Sequence, residues 1–96
     1  SSRYQKATFF RGIQVFNEKE YADAIVNFEK ALSNSQDKQI EVRSRFWLAE
    51  SNFRLNNFDL ALEDFNLFYA NAASKETSEI KDINYNLGYT YFKQKD

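Results

Sequence analysis

Apolar residues in this chain recur at helical spacing. Phe9, Gly12, Ile13 and Phe16 fall at i, i+3, i+4 and i+7, which places them on one side of a helix. The same aromatic–small–Phe spacing returns in Phe46, Ala49 and Phe53, and again in Tyr85, Gly88 and Phe92. In an interior helical turn Gly costs about 0.5–1 kcal/mol relative to Ala. The small residues are therefore predicted to let a neighbouring helix approach closely. A second series lies between these stretches: Tyr21, Ala24, Ile25, Phe28, Ala31 and Leu32 match Phe58, Ala61, Leu62, Phe65, Phe68 and Tyr69. The offset is 37 residues from the first unit to the second and 39 from the second to the third. A fixed offset kept by both helices of a pair marks an internal repeat. The pattern predicts five helices over 3–18, 20–34, 38–55, 57–72 and 78–95, with Asp37 and Thr77 as N-caps. The turns at 17–20 and 56–57 are short enough to force antiparallel hairpins.

Composition narrows the picture further. The 96 residues are one domain's worth of chain, and 10 Phe, 6 Tyr and 1 Trp supply large rings to fill the space between helices. With no Pro and two Gly, the punctuation of β-rich folds is missing. A net charge of −1 provides no field to draw the chain onto nucleic acid or an anionic membrane. No apolar run approaches the roughly 20 residues that span a bilayer, so no membrane insertion by this segment is expected. The start of the chain has no apolar signal core, and any targeting segment is expected outside this sequence.

With neither His nor Cys, imidazole and thiolate catalysis and zinc sites have no residues to work with, and an enzyme is not expected. No cofactor or metal is expected either. Asp59, Glu63 and Asp64 read as a solvated acidic face rather than a metal site, and Arg43, Arg45 and Arg54 as a solvated face rather than a phosphate strip. Phe28 and Phe65 are predicted core, and Phe16, Phe53 and Phe92 packing residues. Trp47 is placed to wedge between units.

These residues resemble the tetratricopeptide repeat (TPR) family. The small residue, the aromatic, the Ala and the second aromatic of its pattern fall on Gly12, Tyr21, Ala24 and Phe28, then on Ala49, Phe58, Ala61 and Phe65. Tyr85-Asn86-Leu87-Gly88 opens a third, half unit. The resemblance divides the chain into repeats at about 5–36 and 42–73 and a half repeat at 78–96. It departs from the family where Thr8, Arg45 and Asn84 replace the usual Trp, and where Gln36 and Ala73 replace the usual Pro. The long units are similar to TPR segments of bacterial cell-envelope proteins, which implies a periplasmic or envelope setting over the cytoplasm. Since Asp96 stops short of a sixth helix, the resemblance also implies a piece of a longer solenoid, and with it self-association through 80–96.

The implied fold is all-α, a right-handed superhelical solenoid of antiparallel helix pairs. The implied function is non-catalytic binding of a protein, as a peptide or helix, in a concave groove. That groove is carried onto Lys6, Phe9, Ile13 and Asn17 of the first unit. It continues on Arg43, Phe46, Glu50 and Arg54 of the second, then on Asp82, Tyr85, Tyr89 and Lys93. An aromatic floor of mildly basic character follows, with Phe9, Phe46, Tyr85 and Tyr89 partly exposed on one surface. The alternatives are a carbohydrate-binding, uptake-associated segment of an outer-membrane lipoprotein, using Phe9, Phe46 and Tyr85 against sugar faces, and a structural spacer. The resemblance does not imply a carboxylate clamp of the chaperone-binding kind, because its places hold Phe9, Ile13, Trp47, Asp82 and Asn86.

Overall fold

In this computed structural model, which describes residues 1–95, α1 spans Ser2–Asn17 and the Ser1 hydroxyl accepts the Tyr4 N–H. Helix α2 follows over Tyr21–Ser33, α3 over Lys38–Arg54 and α4 over Phe58–Ala70. Asp37 caps α3 as expected, its carboxylate accepting the N–H groups of Gln39 and Ile40. Side-chain caps thus start α1 and α3, while α2 and α4 start without one, directly after a tight corner. Two 3-10 helices, Ala72–Glu76 and Ser78–Asp82, lead into α5 at Ile83–Lys95. Among the described residues there is no strand, and no helix is long and apolar enough to cross a membrane.

The last predicted helix is therefore two pieces. Thr77 does not cap with its side chain; its hydroxyl donates to the Ser74 carbonyl at 2.6 Å. Over the next five residues the chain winds as a 3-10 helix while the Glu79 side chain reaches back to Arg43 and Trp47 on α3.

The corners of the first two hairpins are the same backbone object. Lys19 and Asn56, 37 residues apart, both adopt the left-handed conformation at φ 65° and 64°. Around Lys19, the Glu20 N–H reaches the Val15 carbonyl at 2.9 Å and the Lys19 N–H reaches Phe16 at 2.8 Å. Around Asn56, the Asn57 N–H reaches Asn52 at 2.8 Å and the Asn56 N–H reaches Phe53 at 3.0 Å. This 6→1 and 5→2 pairing closes both first helices and turns the chain sharply back. The partners meet ring on ring: Phe9 lies 6.0 Å from Phe28, and Phe46 lies 5.5 Å from Phe65.

Two hydrophobic clusters result. The first gathers Phe9, Val15, Phe16, Ala24, Phe28 and Ala31 between α1 and α2, with Ile40 and Leu48 from α3. The second gathers Val42, Phe46, Ala49, Ala61, Phe65 and Phe68, with Ile83 from α5. Trp47 packs against both, the wedge its position predicted. Phe28 and Phe65 are fully buried, each contributing about 1.5–3 kcal/mol of apolar burial.

Gly12 has its packing reason: a Cβ there would lie 2.6 Å from the Phe28 ring. Gly88 does not, for nothing comes within 4 Å of the same position on α5. The link between hairpins is stitched by Gln5, wholly buried on α1. Its carboxamide oxygen accepts the N–H groups of Gln36 and Asp37, and its nitrogen donates to the Asp37 carbonyl.

Candidate functional site

Two clefts share a wall along α3 and α5. The larger, about 510 Å³, is lined by Phe16, Asn17, Phe46, Trp47, Glu50 and Arg54 from α1 and α3, and by Ser78, Glu79, Lys81, Asp82, Tyr85 and Asn86 from the other side. The smaller, about 270 Å³, continues past Glu50, Arg54, Tyr85 and Asn86 to Phe53, Tyr89 and Thr90. Together they form one trough between α3 and the segment running from Ser78 into α5.

The walls are held by polar contacts that the helical pattern did not signal. At the base, Glu79 accepts the Arg43 Nε at 3.0 and 3.1 Å and the Trp47 Nε1 at 2.9 Å. Burial alone would raise the Glu79 pKa; the bonds from Trp47 and Arg43 and the Arg43 charge outweigh it, so its pKa is lowered. Arg43 also lies over the Phe9 ring at 4.9 Å.

At mid-trough the Glu50 carboxylate accepts from Asn86 at 2.6 Å and pairs with Arg54 at 3.7 Å. Here burial wins: the Glu50 pKa is raised, against the lowering by Arg54 and Asn86, with Asp82 adding to the rise. Arg54 in turn donates to the Tyr21 hydroxyl at 2.9 Å and covers the Phe16 ring at 5.3 Å. At the rim, Tyr85 is 74% exposed and stacks on Tyr89 with centroids 6.0 Å apart and planes 8° from parallel.

The trough gathers Asn17, Phe46, Glu50, Arg54, Asp82, Tyr85 and Tyr89 of the residues nominated from the sequence. It leaves out Lys6, Phe9, Ile13, Arg43 and Lys93. Lys6 is exposed on α1, Ile13 packs against the first core cluster, and Lys93 is half-buried on α5 outside both clefts. Phe9 and Phe46 are core, at 0% and 3% exposure, because each first-helix ring is covered by its own second helix. The common exposed surface expected for four rings is thus reduced to Tyr85 and Tyr89. A run of sugar-stacking rings through Phe9, Phe46 and Tyr85 does not exist. Nor is the lining basic: Arg54 and Lys81 face Glu50, Glu79 and Asp82.

The two surface strips are corrected in part: Asp59, Glu63 and Arg54 are exposed as expected, whereas Asp64 is buried and Arg43 and Arg45 are half-buried. Arg43, Arg45 and Arg54 each pair with a carboxylate: Glu79, Asp64 and Glu50. Asp64 is buried, holding Arg45 at 3.1 Å and Asn52 at 3.3 Å, and burial leaves its pKa raised despite both contacts. Asp59 is engaged elsewhere, accepting from Gln94 at 2.6 Å. Trp47, Glu79, Lys81 and Asn86 were not nominated; only the spatial return of the linker onto α3 brings them in. Comparison with protein-family models, with curated proteins and with solved structures returned no match.

Proposed function

We propose that this chain is a TPR-type helical-repeat scaffold, a right-handed solenoid in its finer arrangement, whose α3–α5 trough binds a peptide or helix of another protein. The fold part of this reading is supported by the recurrence of one left-handed corner and one ring-on-ring hairpin contact at a 37-residue offset. The functional part rests on the Tyr85–Tyr89 stack standing exposed at the rim of a cleft that carries both signs of charge.

Large rings with a polar tip immobilise few torsions and bury much area, so they serve as anchors for an incoming segment. Glu50, bonded by Asn86, and Arg54, bonded to Tyr21, pair as ions at 3.7 Å, and their remaining lone pairs and N–H groups suit an extended or helical backbone. The test is affinity selection of a displayed random-peptide library on the chain. Selected peptides are expected to carry aromatic residues and to lose at least about tenfold in affinity to Tyr85→Ala and to Lys81→Glu. Selected peptides that bind both variants as tightly as the parent, or a selection that enriches nothing, overturn the assignment.

A further inference from the structure

Within each hairpin the two helices present the same pattern to one another: an aromatic, a small residue three positions on, and a Phe four further. On α1 these are Phe9, Gly12 and Phe16; on α2, Tyr21, Ala24 and Phe28. They meet head to tail, Phe9 on Phe28 at 6.0 Å and Phe16 on Tyr21 at 5.2 Å, with the Phe28 ring seated over Gly12. The second hairpin repeats the arrangement, Phe46 on Phe65 at 5.5 Å and Phe53 on Phe58 at 5.3 Å. An aromatic–small–aromatic stripe read antiparallel is its own complement.

Helix α5 carries this stripe once more, in Tyr85, Gly88 and Phe92, and among the described residues nothing lies across it. Phe92 is 65% exposed, and the space above Gly88 is open to 4 Å. The register is that of α3. Helix α5 buries Ile83 and Thr90 where α3, 39 residues earlier, buries Ser44 and Ser51. Its open stripe therefore stands where Phe46, Ala49 and Phe53 meet α4.

We propose that α5 pairs with α5 of a second copy, antiparallel about a two-fold axis at Gly88, with Tyr85 on the partner's Phe92 and Phe92 on the partner's Tyr85. A two-fold interface needs one patch that complements itself, and this stripe meets that condition. The pairing rebuilds between two molecules the contact that α1 makes with α2 within one. It goes beyond the trough reading and does not rest on it.

The experiment is sedimentation velocity on the whole chain from micromolar to millimolar concentration. A reversible monomer–dimer equilibrium is expected. Gly88→Arg should weaken it at least about tenfold without lowering the melting temperature of the dilute chain, because no group of the monomer faces that position. Phe92→Ala provides a second weakening variant. The chain has no cysteine, so Tyr85→Cys and Phe92→Cys chains can be mixed and oxidised. The mixed disulfide is expected to form ahead of either homodimer. A single monomeric species throughout, an association indifferent to both Gly88→Arg and Phe92→Ala, or preferred homodimeric disulfides would each overturn the proposal. Gly88 lines neither cleft, so a monomer that still binds selected peptides sinks this inference alone.

Discussion

The two glycines make a matched pair of tests, because the same substitution should act in opposite directions. Both lie inside α-helices, so Gly→Ala gains about 0.8–1.0 kcal/mol of helix propensity at either site. At Gly88 that gain is unopposed, since the new Cβ meets nothing within 4 Å. At Gly12 the Cβ would lie 2.6 Å from the Phe28 ring, whereas carbon atoms rest at about 3.5–4.0 Å. The ring or the helix must retreat by about 1 Å. Phe28 is fully buried with Phe9 packed against it, so the ring has nowhere to turn. Overpacking of this kind costs about 1–3 kcal/mol, and with no room to relax the upper half of that range applies. The net effect is a loss of about 1–2 kcal/mol for Gly12→Ala against a gain of about 1 kcal/mol for Gly88→Ala. For a domain of this size, melting should fall by roughly 5–15 °C in the first variant and rise by roughly 4–8 °C in the second. The assay is far-ultraviolet circular dichroism with heating, at dilute concentration so that any dimer is dissociated. A Gly12→Ala chain at least as stable as the parent would refute the α1–α2 contact. A destabilised Gly88→Ala monomer would show that the α5 stripe is covered.

The corners and the base of the trough yield two more expectations. Lys19→Gly removes the side chain from a left-handed position and should stabilise by about 1 kcal/mol in chemical denaturation, with a smaller gain for Asn56→Gly because Asn tolerates that conformation. Glu79, whose folded pKa is lowered from 4.5, contributes stability that is present above its ordinary pKa and lost as pH falls through the folded value. Glu50 and Asp64, both raised, act oppositely: protonation favours the folded state as pH falls from neutral, so stability should peak at mildly acidic pH. Glu79→Gln should cost about 1–3 kcal/mol at neutral pH and flatten the acid limb, read from melting temperature against pH; an unchanged limb would remove Glu79 from that account.

Periodicity announces which residues share a helix face, and Phe28, Phe65 and the Asp37 cap follow from it directly. It is silent on what covers that face. Phe9, Phe46 and Tyr85 occupy equivalent positions, yet two are core and one is 74% exposed, because burial belongs to the neighbouring helix and, among the described residues, α5 has none across its stripe. The residues that join the units were hidden for a different reason. Gln5 and Glu79 bond to groups 31 to 36 positions away, and no local spacing encodes such a contact. The left-handed corners were obscured by composition: Lys19 has none of the usual turn chemistry, and only the backbone bonds reveal that it matches Asn56.

Helix α3 belongs to both cores at once. Leu48 and Ile40 lie in the first cluster, Val42, Phe46 and Ala49 in the second, and Trp47 touches each. Neither hairpin can melt alone without stripping apolar cover from the helix that serves the other. The chain is therefore expected to melt as one unit at its centre, although its apolar pattern recurs at a 37-residue offset. Helices α1, α2, α4 and α5 each contribute to a single cluster, so local opening should involve the outer helices first and stop at α3 until the whole molecule unfolds.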